Sequence, residues 1–228
     1  MGTLQDHPPL RGRTHVFRDR AHAGEILAEM VASADDALVA AIPAGGVPVA
    51  ISLCERSNLA LEVLVVSKIT LPWNSEAGYG AVAFDGSVRL NEALVDRVGL
   101  SRREIDEGIA KTREKVAARS ARLRGDRPWP KLAGRHVFVV DDGLASGFTM
   151  RVAVETLAQL GADRLSVVVP TAHERAARSL VQDVDALYCA NLRGGSSFAV
   201  ADAYENWYDV RDEEVIALLE KVGYLTAE

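Results

Sequence analysis

Two adjacent acids, Asp141 and Asp142, stand between a run of apolar residues and a turn of small ones, an order suited to a phosphorylated sugar. Residues 137–140, Val-Phe-Val-Val, are β-branched or aromatic and read as a buried strand. Met150, Ala153, Val154, Leu157 and Leu160 recur at helical spacing, and Gly161 stops that helix. The turn between them, Gly143, Leu144, Ala145, Ser146, Gly147, Phe148 and Thr149, therefore falls at the carboxyl edge of a sheet. Over 145–149 the backbone N–H groups can converge at a helix N-terminus, where partial positive charge and the Ser146 and Thr149 hydroxyls favour a phosphate. Carboxylates so near a phosphate would repel it unless they face something else, and ribose hydroxyls or a phosphate-bound Mg²⁺ satisfy them. The plain alternative, a sharp strand-to-helix turn with solvated acids, leaves both carboxylates without a task.

The segment 137–150 resembles the 5-phosphoribosyl 1-pyrophosphate (PRPP) binding motif of the type I phosphoribosyltransferases. The resemblance implies that Asp141 and Asp142 meet the ribose 2′ and 3′ hydroxyls and, directly or through water, Mg²⁺. It implies that the following turn holds the 5-phosphate. It also places Ala44, Gly45 and Gly46, after the first core strand, where the family's pyrophosphate loop lies, glycine allowing close backbone approach. Relatives with similar surroundings often carry a basic residue at the position of Ala44. Lys68, read as following a second core strand over 61–66, is a candidate for the missing charge and for a catalytic contact; an exposed lysine at a strand end is the other reading. Arg193, in a Gly-rich stretch after the last core strand, is a further candidate phosphate contact. Ala145 stands where the hypoxanthine-guanine branch has an aspartate that manages a proton, so the motif looks more like the orotate and adenine branches.

The elements that must position these residues alternate. A helix capped by Asp19 carries a stripe of Ala23, Ile26, Leu27, Met30 and Val31; strands are expected over 38–42, 61–66, 165–169 and 186–189. Pro48 suits the first position of a second helix. Apolar strands separated by helices indicate an α/β fold, a parallel twisted sheet flanked by helices. The pattern breaks over 70–130, an inserted hood. There Asp85-Gly86 separates two alternating runs, a hairpin signal, and Ser101-Arg102-Arg103-Glu104 is a capping box opening a long charged helix. Residues 124–130 read as a linker, and Asp212 as the cap of a terminal helix. One domain is expected over 15–228, after a flexible N-terminus over 1–14.

The order of Pro-x-Gly-Gly turn, lysine, Asp-Gly hairpin, charged helix, acid pair and late Tyr-x-x-Trp-Tyr segment resembles a group of stand-alone phosphoribosyltransferases across nearly the whole chain after residue 15. That resemblance implies a Mg²⁺-dependent glycosyltransferase moving 5-phosphoribose from PRPP to a nitrogenous base with release of pyrophosphate. A PRPP-binding regulator without transferase activity, and a hydrolase using water as acceptor, are the alternatives. Base specificity is expected from the hood and the loop after the last strand. Trp73, Tyr79, Phe198, Tyr204 and Trp207 are available there to stack on a ring or to pack the hood. Glu76, in a loop read over 72–80, and His173, at a helix start, are proton-handling and site candidates against plain surface roles.

The chain of 228 residues is 48% hydrophobic and 25% charged, enough for one substantial core. A net charge of −6 and the lack of a basic stripe argue against nucleic-acid binding. No Walker phosphate loop or Gly-x-Gly-x-x-Gly is present. Two cysteines, Cys54 and Cys189, sit in apolar neighbourhoods and read as packing residues, not a disulfide or zinc site. Without an apolar leader or a run of eighteen apolar residues, a cytoplasmic protein clear of the membrane is expected. A homodimer is an open state, common among the proteins it resembles.

Overall fold

The computed structural model describes residues 2–31 and 36–225, with the side chains of Ser75 and Glu76 left outside the description. In chain order the elements are β1 (Thr3–Asp6), α1 (Arg20–Met30), β2 (Leu38–Ala41), α2 (Gly46–Ser57), β3 (Ala60–Val63), β4 (Val66–Leu71), β5 (Asn74–Ala83) and β6 (Val88–Leu90). They continue as α3 (Glu92–Val98), α4 (Arg102–Arg124), β7 (His136–Val140), α5 (Phe148–Gln159), β8 (Arg164–His173), α6 (Glu174–Leu180), β9 (Ala186–Arg193) and α7 (Asp212–Lys221). Six strands form a parallel sheet in the order β1-β9-β8-β7-β2-β3, and β4-β5-β6 form a separate antiparallel sheet. The α/β expectation is met.

Alternation along each core strand fills both faces. Val39, Phe138, Val140 and Val168 pack with Ala23, Leu27 and Leu53 on one face. Val137, Val139, Val167 and Leu187 pack with Met150, Leu157 and Leu180 on the other. Full burial of each such valine or leucine stabilises the fold by about 1.5–3 kcal/mol, so apolar runs in the middle strands are required where helices cover both faces. Burial pushes the thiols of Cys54 and Cys189 up to about 12, in keeping with packing roles.

Local signals place the helices well. Asp19 accepts from the His22 N–H at 2.8 Å, and Ser101 and Glu104 close the capping box that starts α4. Gly86, at φ +84°, turns β5 into β6 across the Asp-Gly signal.

Several expectations are corrected. The N-terminus is not free: Thr3–Asp6 adds an edge strand to β9, pairing that a polar sequence conceals because an edge strand buries little. The strand read over 61–66 is two, β3 ending at Val63 and β4 starting at Val66 in the other sheet. Residues 72–80 are mostly strand, since β5 begins at Asn74; the side chain of Glu76 lies outside the described residues. Pro48 is the third residue of α2, still within the first turn where no intrahelical N–H donor is needed. Asp212 does not cap α7; the Arg211 N–H meets Glu214 at 3.0 Å, and Asp212 instead pairs with Arg119 at 2.7 Å. The arginine-rich linker is partly core: Arg124 pairs with Glu62 at 2.9 Å, both nearly buried, with the Tyr224 hydroxyl donating to the same carboxylate at 2.9 Å. Among the described residues, no helix is long and apolar enough to cross a membrane.

Candidate active site at the sheet's switch point

From β2 the chain passes outward to β3, and it later returns to the opposite side of β2 as β7. The loops after β2 and β7 therefore diverge, and in open parallel sheets the crevice outside such carboxyl ends is where ligands bind. Pro43 through Gly46 leave β2, with a cis Pro43–Ala44 peptide, and Asp141 and Asp142 leave β7. The two turns press together. A Cβ built on Gly45 would lie 1.8 Å from Asp142 Oδ2, and one on Gly46 would lie 2.7 Å from the Val140 carbonyl oxygen and 2.9 Å from Asp141 Cα. Neither glycine has positive φ in this turn; close approach is what requires them.

The turn after the acids is anchored at its middle. Leu144 exchanges backbone bonds with β8, donating to Thr171 at 2.9 Å and accepting from His173 at 2.9 Å. Gly143 backs onto Val200. Gly147, at φ +75°, swings the chain into α5 without a side-chain cap, and the Ser146 hydroxyl accepts weakly from the Phe148 N–H at 3.4 Å. Ala145 and Ser146 are exposed. The result is an open helix N-terminus beside a carboxylate pair.

Asp142 has a partner that sequence reading missed. Arg20 Nε donates to Asp142 Oδ2 at 2.9 Å and a second guanidinium nitrogen lies 2.9 Å from the same oxygen, while Nη1 donates to the Tyr208 carbonyl at 3.0 Å. The guanidinium sits 4.0 Å from the Trp207 ring centroid, and the Tyr204 hydroxyl donates to the Asp142 carbonyl at 2.6 Å. A signal for Arg20 existed: it lies on the helical stripe of Ala23 and Leu27, and a cation in the first turn opposes the helix dipole, so it needs an outside partner.

Desolvation, reinforced by the neighbouring charge of Asp142, raises the Asp141 carboxyl well above the usual carboxylate range. Desolvation also raises Asp142, with Arg20 opposing. A carboxyl whose folded pKa exceeds its unfolded value stabilises the fold at low pH and loses that contribution as pH rises through the folded value. Asp141→Asn keeps an acceptor for the Asp142 N–H, now 2.8 Å from Asp141 Oδ1, and removes the buried charge. We expect its melting temperature at pH 7.5 to exceed the wild type's by about 2–4 °C for each kcal/mol relieved, the gap closing near pH 4. A constant gap across that range would contradict the assignment of strain to Asp141.

Other candidates fall elsewhere. Lys68 does not end a core strand; it is the third residue of β4 and lines a cleft against α4 with Trp73, a cleft that includes none of residues 43–46 or 141–149. Arg193 is buried, donating to Thr171 Oγ1 at 3.2 Å and to the Ala199 carbonyl, so it braces a loop. His173 caps α6 through its ring and meets the Gly195 carbonyl at 3.1 Å, with Phe198 at its edge and beneath Arg193. Tyr79 is buried against α4 and Tyr204 holds Asp142, so neither is a free stacking surface; Trp73 is 63% exposed. Arg119, also unforeseen, donates to the Pro43 carbonyl at 3.3 Å and ties α4 to the Gly45-Gly46 turn.

The family model for the phosphoribosyl transferase domain matches residues 84–201, just over half of the chain and inclusive of β7, the acid pair and α5. The chain belongs to that family. Proteins of Mycobacterium tuberculosis strains CDC 1551 and H37Rv, provisionally named phosphoribosyl transferases, are each 32% identical over 208 residues, 90% of this chain. The match spans 47% of their length, so the chain corresponds to about half of those relatives. The crystal structure of TT1426 from Thermus thermophilus superposes with a TM-score of 0.74 at 32% identity, covering 90% of this chain and 98% of that one. In this phosphoribosyl transferase domain the match takes in the acid pair and the start of α5, while Arg20 and the Gly45-Gly46 turn that meet them precede it.

Proposed function

We propose that the protein transfers 5-phosphoribose from PRPP to a nitrogenous base and releases pyrophosphate. The observation that carries this reading is the contact between the Gly45-Gly46 turn and the Asp141-Asp142 pair at the switch point, beside an open helix N-terminus. Family membership supports it. In this reading the carboxylates of Asp141 and Asp142 accept from the ribose hydroxyls, Asp142 through the oxygen that Arg20 leaves free. N–H groups at the start of α5, with the Ser146 and Thr149 hydroxyls, take the 5-phosphate, and the backbone of Ala44, Gly45 and Gly46 faces the diphosphate.

Among the described residues, no three His, Cys, Asp or Glu side chains cluster as a metal site. Two carboxylates alone fit Mg²⁺, which commonly takes one or two protein carboxylates with waters and substrate phosphates. Bound there with the donor, Mg²⁺ would neutralise charge on the leaving diphosphate. The bond from the anomeric carbon to the diphosphate oxygen breaks, a ring nitrogen of the base bonds to that carbon, and the base loses its proton. The chain's part is positioning and electrostatics: the acids fix the ribose, the α5 terminus fixes its phosphate, and the glycine turn orients the leaving group. Ala145 carries no carboxyl, so proton handling falls to another segment or to the leaving diphosphate.

Mass spectrometry of a reaction with Mg²⁺, PRPP and mixed purine and pyrimidine bases tests this. The expected result is a new ribosylated mass with equimolar pyrophosphate, reduced at least a hundredfold in Asp141→Asn. PRPP that binds but stays intact would favour the regulator; pyrophosphate without added base would indicate a hydrolase. Failure to bind PRPP would overturn all three.

A further inference from the structure

The cleft between β4 and α4, about 1,040 Å³, is larger than a single base requires and is lined by groups that the donor site does not use. Lys68 on one wall and Lys111 and Lys115 on the other form no ion pair among the described residues, and all three are exposed. The cleft's carboxylates are engaged elsewhere: Glu104 accepts from Ser101 at 2.7 and 2.8 Å, and Glu107 accepts from Arg103 at 2.7 Å. Arg103 offsets the charge of Glu107, whereas the neutral donors of Ser101 hold Glu104 ionised, so among the described residues three lysines face one uncompensated carboxylate and the cleft keeps a net positive field that concentrates anions. Trp73, also in the lining, is 63% exposed and offers an indole face on which a flat ring can stack.

The two walls are long enough for a ligand larger than a single ring. Lys68 and Leu71 span about 10 Å along β4 before the turn that carries Trp73. Glu104 and Lys115 lie about 16 Å apart along α4. A phosphorylated nucleoside carries on one molecule the two groups this lining suits, a flat ring for the exposed indole and a doubly charged phosphate for the lysines. We propose that this cleft binds a nucleoside phosphate, the base on Trp73 and the phosphate among Lys68, Lys111 and Lys115. The site is distinct from the donor crevice, because no residue of either donor turn lines it. It is joined to that crevice through α4: Arg119, one turn beyond Lys115, holds the Pro43 carbonyl at the start of the glycine turn.

Isothermal titration calorimetry of the full chain, without PRPP, with AMP, GMP, CMP and UMP tests the assignment. At least one nucleotide should bind ten times more tightly than its nucleoside and than inorganic phosphate. Its affinity should fall at least tenfold in Lys111→Ala/Lys115→Ala, changes that favour an exposed helix and so preserve the fold, and at least fivefold in Trp73→Ala. It should also weaken with rising salt. The donor turn can itself take the 5-phosphate of a nucleotide, so that component is read as the part lost in Thr149→Val, and the cleft component should persist in that variant. Absence of binding by all four nucleotides, or a Thr149→Val-insensitive component that survives the double lysine change, overturns the proposal. Binding lost in Thr149→Val and kept in the lysine variant overturns it too, while supporting the donor site.

Discussion

Arg20→Met should lower the melting temperature by about 6–20 °C, the equivalent of about 3–5 kcal/mol in a chain of this length. Arg20 is 6% exposed, and its guanidinium makes two contacts to Asp142 Oδ2, one hydrogen bond to Tyr208 and one ring stack on Trp207. Methionine fills much of the same volume but leaves Asp142, half-buried against Gly45, with no cation, beside Asp141 with its raised pKa. The cost is dominated by that stranded carboxylate, so the double variant Arg20→Met/Asp142→Asn should recover part of the loss. Lysine at position 20 should rescue incompletely, since one ammonium cannot serve Asp142, Tyr208 and Trp207 together. Thermal melts of the four proteins decide the matter. A single variant as stable as the wild type would show that the pair contributes nothing. It follows that Asp142→Asn is not an innocent probe of ligand binding, because it unpairs Arg20, whereas Asp141→Asn is.

Gly45→Ala should be the most damaging single methyl in the chain for ligand binding. The added Cβ would meet Asp142 Oδ2 at 1.8 Å and Cγ at 2.4 Å, so the carboxylate must rotate, and the Nε of Arg20, 3.1 Å from that Cβ, constrains where it can go. We expect about 1–3 kcal/mol of destabilisation from overpacking, with more if the Arg20 contact breaks. PRPP affinity, read by calorimetry with Mg²⁺, should fall at least a hundredfold on the proposed function. Gly46→Ala differs in kind: its Cβ would strike the backbone of Val140 and Asp141, which cannot rotate away, so stability should suffer more than at Gly45. Wild-type stability and affinity in Gly45→Ala would mean that the two turns can separate freely, and the contact would cease to define the site.

What the amino-acid order determined is what neighbours in sequence determine. Apolar runs, turn chemistry and caps fixed β7, the acid pair, α5, the Asp-Gly hairpin and the capping box of α4, because each is a balance of propensity and hydrogen bonding within a few residues. The acid pair was legible for the same reason: strand, carboxylates, small turn and helix are contiguous. Tertiary structure alone decided who completes the site. Arg20 meets Asp142 across 122 positions, Tyr204 reaches the same residue across 62, and Arg119 reaches Pro43 across 76. No local pattern encodes such pairs; their only trace is a residue out of keeping with its face, as an arginine on the apolar stripe of α1. The edge strand Thr3–Asp6 follows the same logic, since its pairing with β9 is a choice of distant partner and not of residue type, whereas Lys68 pairs locally, in a hairpin of β4 with β5.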